Sequence, residues 1–312
     1  MSIHFCNVLL PIFPVAHQPI SWSNSSSPPV DGTGVWLKEG IVEVSSDQQG
    51  LQWQKGVWDR ISQLYLREVD PRFAPVIEHV IRRGDLKPGQ HVLDLGTGTG
   101  AVAIGAAHRV GPSGRVTAVD ISPEMLGLAR RRVAELALKN VDLREGRAET
   151  IPAEAGGFDA VLASLSLMYA IDRGAAAREL RRVLRPGGRF VAAVWAAPDR
   201  CDIVLFQQTA GRFAPPPPVP GVGPGALADA TGFLAQLSDA GIHAHVETEE
   251  LGFEFNEFEL AWEVLAGVTT AQLAPERRQE AKAAVQAVMW PGGHGPRRFR
   301  NVTQFLVGRA VE

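Results

Sequence analysis

The stretch His91-Val92-Leu93-Asp94-Leu95-Gly96-Thr97-Gly98-Thr99-Gly100 decides how this chain is read: an apolar strand runs into a glycine-rich turn, and a helix opens at Ala101. Glycines are needed where the backbone adopts positive φ and where a ligand must touch the main chain, because a Cβ would obstruct both. Read as Gly96-x-Gly98-x-x-Ala101, the turn satisfies the dinucleotide fingerprint, in which a pyrophosphate rests on a helix N-terminus.

Two carboxylates shift that reading. Asp94 lies inside the strand end, two residues before the first glycine, where it would repel a pyrophosphate but can order the loop or pair with an ammonium. Asp120 ends the next apolar strand, twenty residues beyond Gly100, where it suits a bidentate hydrogen bond to ribose hydroxyls. Asp94 favours a cationic adenosine ligand, S-adenosylmethionine, over NAD, whereas Asp120 supports an adenosine ligand without deciding between the two. Ser122 and Pro123, which follow Asp120, are good cap and first-turn residues for a helix.

Outward from this turn, short β-branched runs alternate with amphipathic stretches. Strands are expected over 91–95, 115–119, 141–145, 158–164 and 189–195, with helices near 101–109, 123–137 and 173–184. A β-α-β-α order implies an α/β fold with a mainly parallel sheet covered on both faces. Upstream, apolar residues at helical spacing predict two cap helices over 51–84, and residues 1–50 read as an N-terminal extension rich in Ser, Asn and Pro around Ser23 to Pro29. Downstream, Pro and Gly supply nine of the thirteen residues from Phe213 to Gly225. Beyond that loop a helix is expected over 233–240, a strand over 244–248, two helices near 257–268 and 275–289, and a last strand over 303–308. The main domain would then run over 85–312, with 253–291 as a helical lid insertion.

The chain has 312 residues, 45% apolar and 21% charged, the composition of a globular protein. Its net charge of −3 and its short, scattered arginine runs argue against a nucleic-acid partner. Two distant cysteines, Cys6 and Cys201, provide neither a disulfide framework nor a metal cluster, and fit a reducing, cytoplasmic setting. The apolar run from Val8 to Val15 is broken by Pro11 and Pro14 and lacks a basic leader, so no membrane insertion is expected. An oligomer is compatible with all of this.

Five stretches, in order over about residues 85–195, resemble the class I S-adenosylmethionine-dependent methyltransferases, in particular their ubiquinone/menaquinone-biosynthesis-like branch. These are Val92 to Gly100; Ala118-Val119-Asp120-Ile121-Ser122-Pro123-Glu124-Met125-Leu126; Gly146-Arg147-Ala148-Glu149-Thr150-Ile151-Pro152; Phe158-Asp159-Ala160-Val161; and Glu179 to Gly188, ending Arg185-Pro186-Gly187-Gly188. The resemblance implies a Rossmann-like, seven-stranded, mostly parallel sheet with an antiparallel C-terminal strand, and S-adenosyl-L-methionine as cofactor. It implies that Asp94, Gly96, Gly98, Thr99 and Gly100 serve the methionine portion and that Asp120 and Ile121 serve the ribose. Arg147 and Ala148 would face the adenine, with Met125 either over that ring or in the core, and Ser164 beside the cofactor. Arg147 departs from the family pattern, in which an acidic or polar residue meets the adenine amino group.

A sulfonium-activated methyl transfers by in-line displacement, so positioning does much of the work and no catalytic base is assigned. No Asn/Asp-Pro-Pro-aromatic motif follows the fourth strand, which disfavours exocyclic-amine methylation of a base. Tyr65, Tyr169, Trp195 and Trp262 are candidates for the acceptor pocket, because they fall at strand C-termini or in flanking helices. The expected activity is methyl transfer to a small molecule. The alternatives are a cofactor-binding protein without turnover, a macromolecular acceptor, and an NAD-dependent oxidoreductase.

Overall fold

The computed structural model describes residues 46–312. The extension expected over 1–50 lies mostly outside them, while its last five residues begin the first helix, α1 (Ser46–Leu64). A single π-helical turn, Tyr65–Val69, joins α1 to α2 (Asp70–Gly84), with Pro71 in the first turn of α2 where its missing N–H costs nothing. The core follows as β1 (His91–Leu95), α3 (Ala101–Val110), β2 (Arg115–Asp120), α4 (Pro123–Glu135), β3 (Val141–Glu145), β4 (Phe158–Ser164), α5 (Arg173–Val183) and β5 (Leu184–Trp195). Then come α6 (Asp202–Gly211), α7 (Thr231–Asp239), β6 (Ile242–Phe255), α8 (Phe258–Leu265), the short α9 (Gly267–Thr270), α10 (Pro275–Met289) and β7 (Arg297–Ala310).

The seven strands form one sheet in the order β3-β2-β1-β4-β5-β7-β6. The first five are parallel, and β7 runs antiparallel between β5 and β6. The order reverses between β1 and β4, so their C-terminal ends open a crevice where the glycine turn sits. Val92, Leu93 and Leu95 are buried because helices cover both faces of β1. Two helix starts match their chemistry: the Ser122 hydroxyl accepts from the Met125 amide at 3.1 Å, and the Asp172 carboxylate accepts from the Ala175 amide at 2.9 Å.

The last two strands are longer than their patterns suggested, each spanning 14 residues and paired along the full length. Their far end runs past β5 and carries an aromatic cluster: Phe299 lies 5.6 Å from Phe253 and 5.2 Å from Phe255, ring centre to ring centre. Phe258 of α8 and Trp290, which follows α10, close this cluster with their rings 5.3 Å apart. Helix α6 was not anticipated. It buries Ile203, Val204, Phe206, Gln207, Thr209 and Ala210 around its circumference, so no one-sided apolar stripe marks it. Among the described residues no helix is long and apolar enough to cross a membrane.

Candidate functional site

The glycine turn is held from behind by the neighbouring strand: the amides of Gly96 and Thr97 both donate to the Val119 carbonyl, at 2.8 and 3.0 Å. Gly96 has φ +75° and Gly98 φ +55°, conformations that favour glycine, but the two positions face different surroundings. A Cβ on Gly96 would run into the Ser166 side chain, whose hydroxyl donates to the Leu95 carbonyl at 2.7 Å. A Cβ on Gly98 would meet nothing within 4 Å, because that position opens onto the crevice. The turn is therefore packed on one side and bare on the other.

Asp120 joins two segments of the site. Its Oδ2 accepts from the Gly98 amide at 2.8 Å and its Oδ1 from the Ser122 amide at 2.9 Å. Burial raises its pKa, and the amides of Ser122, Gly98 and Ile121 hold it back down. Asp94 is fully buried; one of its oxygens accepts from the Thr97 hydroxyl at 2.6 Å, while the other, Oδ1, has no hydrogen-bond partner. Burial pushes its pKa up to about 7 despite the Thr97 hydrogen bond, and the Asp120 charge adds to the rise.

Gly96, Gly98 and Asp120 border a cleft whose lining joins two chemically different halves. One half is main chain and carboxylate, from Gly96, Gly98 and Asp120 to Ile121, Arg147 and Ala148. The other half is aromatic, with Trp58 set edge-on between Tyr169 at 4.9 Å and Tyr65 at 6.4 Å. Burial raises the pKa of both tyrosines, and Asp70, Tyr169 and Asp120 add to the effect on Tyr65, so both phenols remain protonated donors. The π turn places Tyr65 there, and Leu165, at the end of β4 with φ +56°, turns the chain from Ser164 toward Ser166. For a branched side chain that backbone is strained, a feature common at ligand sites.

Helix α1 spans the opening. Gln54 Nε2 donates to the Tyr169 carbonyl at 2.9 Å, and Lys55 Nζ meets Glu145 at 2.7 Å at the end of β3. A second set of ties starts at Asp70, whose carboxylate accepts from the Thr99 hydroxyl and from Arg132 Nη1, the latter at 2.8 Å; Arg132 also donates to the Thr99 carbonyl at 2.9 Å.

Of the residues expected at the cofactor, Gly96, Gly98, Asp120, Ile121, Met125, Arg147, Ala148 and Ser164 line the cleft. Asp94, Thr99 and Gly100 stand behind it: Thr99 turns to Asp70 and Arg132, and Gly100 backs onto Ala129. Of the acceptor candidates, Tyr65 and Tyr169 line the cleft, whereas Trp195 packs on Phe73 at 5.4 Å and Trp262 on Phe206 at 6.1 Å, both nearly fully buried elsewhere. No residue of 253–291 borders the cleft; that segment packs against α6, with Gly267 beside Ile61 on the back of α1. It braces the cap from outside: of the two elements expected to cover the site, the helices over 51–84 supply cleft residues and 253–291 supplies none. Gln54, Trp58 and Ser166 were not singled out beforehand, and only the helical apolar spacing around Trp58 hinted at any of them.

Residues 86–208 match the family described as Methyltransferase domain. Among curated proteins, the chain is 38% identical over 133 residues to nocamycin O-methyltransferase of Saccharothrix syringae, covering 43% of this chain and 48% of that protein. It is 41% identical over 110 residues to demethylmenaquinone methyltransferase of Lactococcus lactis, covering 35% and 43% respectively. The chain thus spans less than half the length of either relative. Solved structures of the same fold include YcgJ of Bacillus subtilis, with TM-score 0.56 and 20% identity over 76% of this chain and 98% of that one. A [4+2]-cyclase is also similar, with TM-score 0.51 and 23% identity over 76% and 80%.

Proposed function

We propose that the chain is a class I S-adenosylmethionine-dependent methyltransferase that transfers a methyl group to a small, largely apolar acceptor, a reading supported by the match of residues 86–208 to the family described as Methyltransferase domain and by the methyltransferases it resembles. One observation carries the proposal: a single cleft joins a main-chain and carboxylate half to an aromatic half.

The residues fit the cofactor. The open side of Gly98 lets a ligand approach the main chain, and Asp120 retains acceptor capacity for ribose hydroxyls beyond the amides it holds. Asp94, buried behind the turn, is a carboxyl whose ionised form a ligand carrying ammonium and sulfonium charges would favour. When bound, S-adenosylmethionine supplies a methyl activated by the sulfonium.

The chain's own contribution is orientation and exclusion of water. Among the described residues Arg147 is the only Lys, Arg or His that lines the cleft, and Glu149 already accepts from the Ile171 amide at 2.6 Å. Among the described residues no histidine lines the cleft, and on this reading the acceptor brings its own nucleophilicity. Tyr65 and Tyr169 donate to its polar atom while Trp58 packs its apolar part. A cytoplasmic site of action, consistent with the scarcity of cysteine, is part of the same proposal.

The test uses S-adenosylmethionine labelled in the methyl group, incubated with the full chain and fractionated small-molecule extracts. Label appearing in a low-molecular-mass product with a methyl added supports the reading. Micromolar cofactor binding with no product in any fraction would favour ligand binding or other chemistry on this frame, a second reading that the cyclase relative makes concrete.

A further inference from the structure

Segment 46–84 lies outside the residues that match the family, yet it reaches the cofactor half of the cleft through side chains that do not border it, and one of them engages Asp120 through Ser122. Asp59, on α1, accepts from the Ser122 hydroxyl at 2.5 Å and from the Glu124 amide at 3.4 Å. Ser122 is fully buried; its hydroxyl proton goes to Asp59 while its oxygen accepts from the Met125 amide and caps α4. Its own amide donates to Asp120 Oδ1, and Asp120 Oδ2 in turn takes the Gly98 amide. The hydrogen bonds therefore run without a gap from the cap helix to the glycine turn: Asp59, Ser122, Asp120, Gly98.

The direction of the Ser122 hydroxyl matters. A serine that donates elsewhere competes with its own role as cap, whereas one whose proton is taken by an outside carboxylate presents its lone pair to the helix amide. Asp59 is the acceptor that fixes this arrangement, and with it the turn 120–122 that aims the Asp120 carboxylate. We infer that Asp59 is a positioning residue for cofactor binding, acting through Ser122 on Asp120, so that cofactor affinity depends on α1 being seated. The inference rests on reading the cleft as an S-adenosylmethionine site.

The test measures binding of S-adenosylhomocysteine to the full chain by titration calorimetry. Asp59→Ala weakens binding by about five- to twentyfold, the effect of losing one hydrogen bond in a chain of them. Asp59→Asn, whose amide oxygen still accepts from Ser122, stays within about threefold of wild type. Ser122→Ala weakens binding as well, and adding Asp59→Ala to it costs little more, because both changes cut the same chain. Wild-type affinity in a folded Asp59→Ala variant, or full additivity of the two changes, overturns the inference. If Asp59→Ala does not fold, Asp59→Glu, which displaces the accepting oxygen by one methylene, takes its place: a loss above threefold supports the inference and wild-type affinity overturns it. Failure of the wild-type chain itself to bind would instead overturn the cofactor reading.

Discussion

The Gly98 amide donates to Asp120 Oδ2 at 2.8 Å, so the glycine turn after β1 and the acidic end of β2 form one hydrogen-bonded unit although 22 residues separate them. Asp120→Ala removes both the ribose acceptor and this tie. Affinity for S-adenosylmethionine should fall by about 1.5–3 kcal/mol, the range for hydrogen bonds to a charged group, or roughly ten- to two-hundredfold in Kd. Calorimetry on the folded variant checks it, and unchanged affinity removes Asp120 from the site.

The two neighbouring glycines should fail in opposite ways. Gly98→Val projects into the cleft, so it abolishes cofactor binding while the strained φ costs about 1–2 kcal/mol of stability. Gly96→Ala drives a methyl against Ser166, so its main loss is in Tm. Thermal melts run beside binding titrations separate the pair; a Gly98→Val protein that binds normally refutes the open-side assignment.

Asp94 predicts a pH dependence. Its folded carboxyl keeps a proton up to about pH 7, whereas an unfolded aspartate loses it near about pH 3.9. Between those values the unfolded chain binds fewer protons, so this group's contribution to stability declines from about pH 4 to pH 7 and is level above. A cationic ligand reverses the effect: binding expels the proton, and affinity rises toward pH 7 by up to about tenfold per unit before flattening. Asp94→Asn should remove that slope. A variant with the wild-type slope assigns the titration to Asp120, whose pKa burial also raises.

Aromatic residues inside and outside the cleft should divide by phenotype. Tyr169→Phe keeps the Trp58 contact and loses only the donor, so acceptor turnover falls by about tenfold or more with Tm nearly unchanged. Trp262→Ala leaves a cavity beside Phe206 and costs about 3–5 kcal/mol, while the protein that remains folded binds cofactor as before. Equal effects of the two on turnover alone would return Trp262 to the acceptor site.

The parts of the site legible in the sequence are those whose signal is local. The strand, glycine turn and helix from His91 onward, and the strand ending in Asp120, carry their chemistry within about ten residues each. The Asp59–Ser122 and Asp70–Thr99 pairs span 63 and 29 positions, and no periodicity announces a hydrogen bond at such distances. Trp195 was misleading for a different reason. In a strand buried on both faces alternation disappears, so its position at the strand end was readable and its direction, toward Phe73, was not. The length of the β6–β7 hairpin was hidden by charged residues such as Glu249, Glu250 and Glu254 along an edge strand.

The chain contains only two tyrosines, and both face the cleft. Biosynthetic replacement of tyrosine by 3-fluorotyrosine would therefore yield a fluorine spectrum with two resonances, each from the site and none from elsewhere in the protein. Tyr65 lies within the electrostatic reach of Asp120, and Tyr169 is fixed by Trp58 and by the Gln54 hydrogen bond to its carbonyl. Both signals report on the aromatic half of the cleft, so the arrival of an acceptor there can be followed directly before it has been identified.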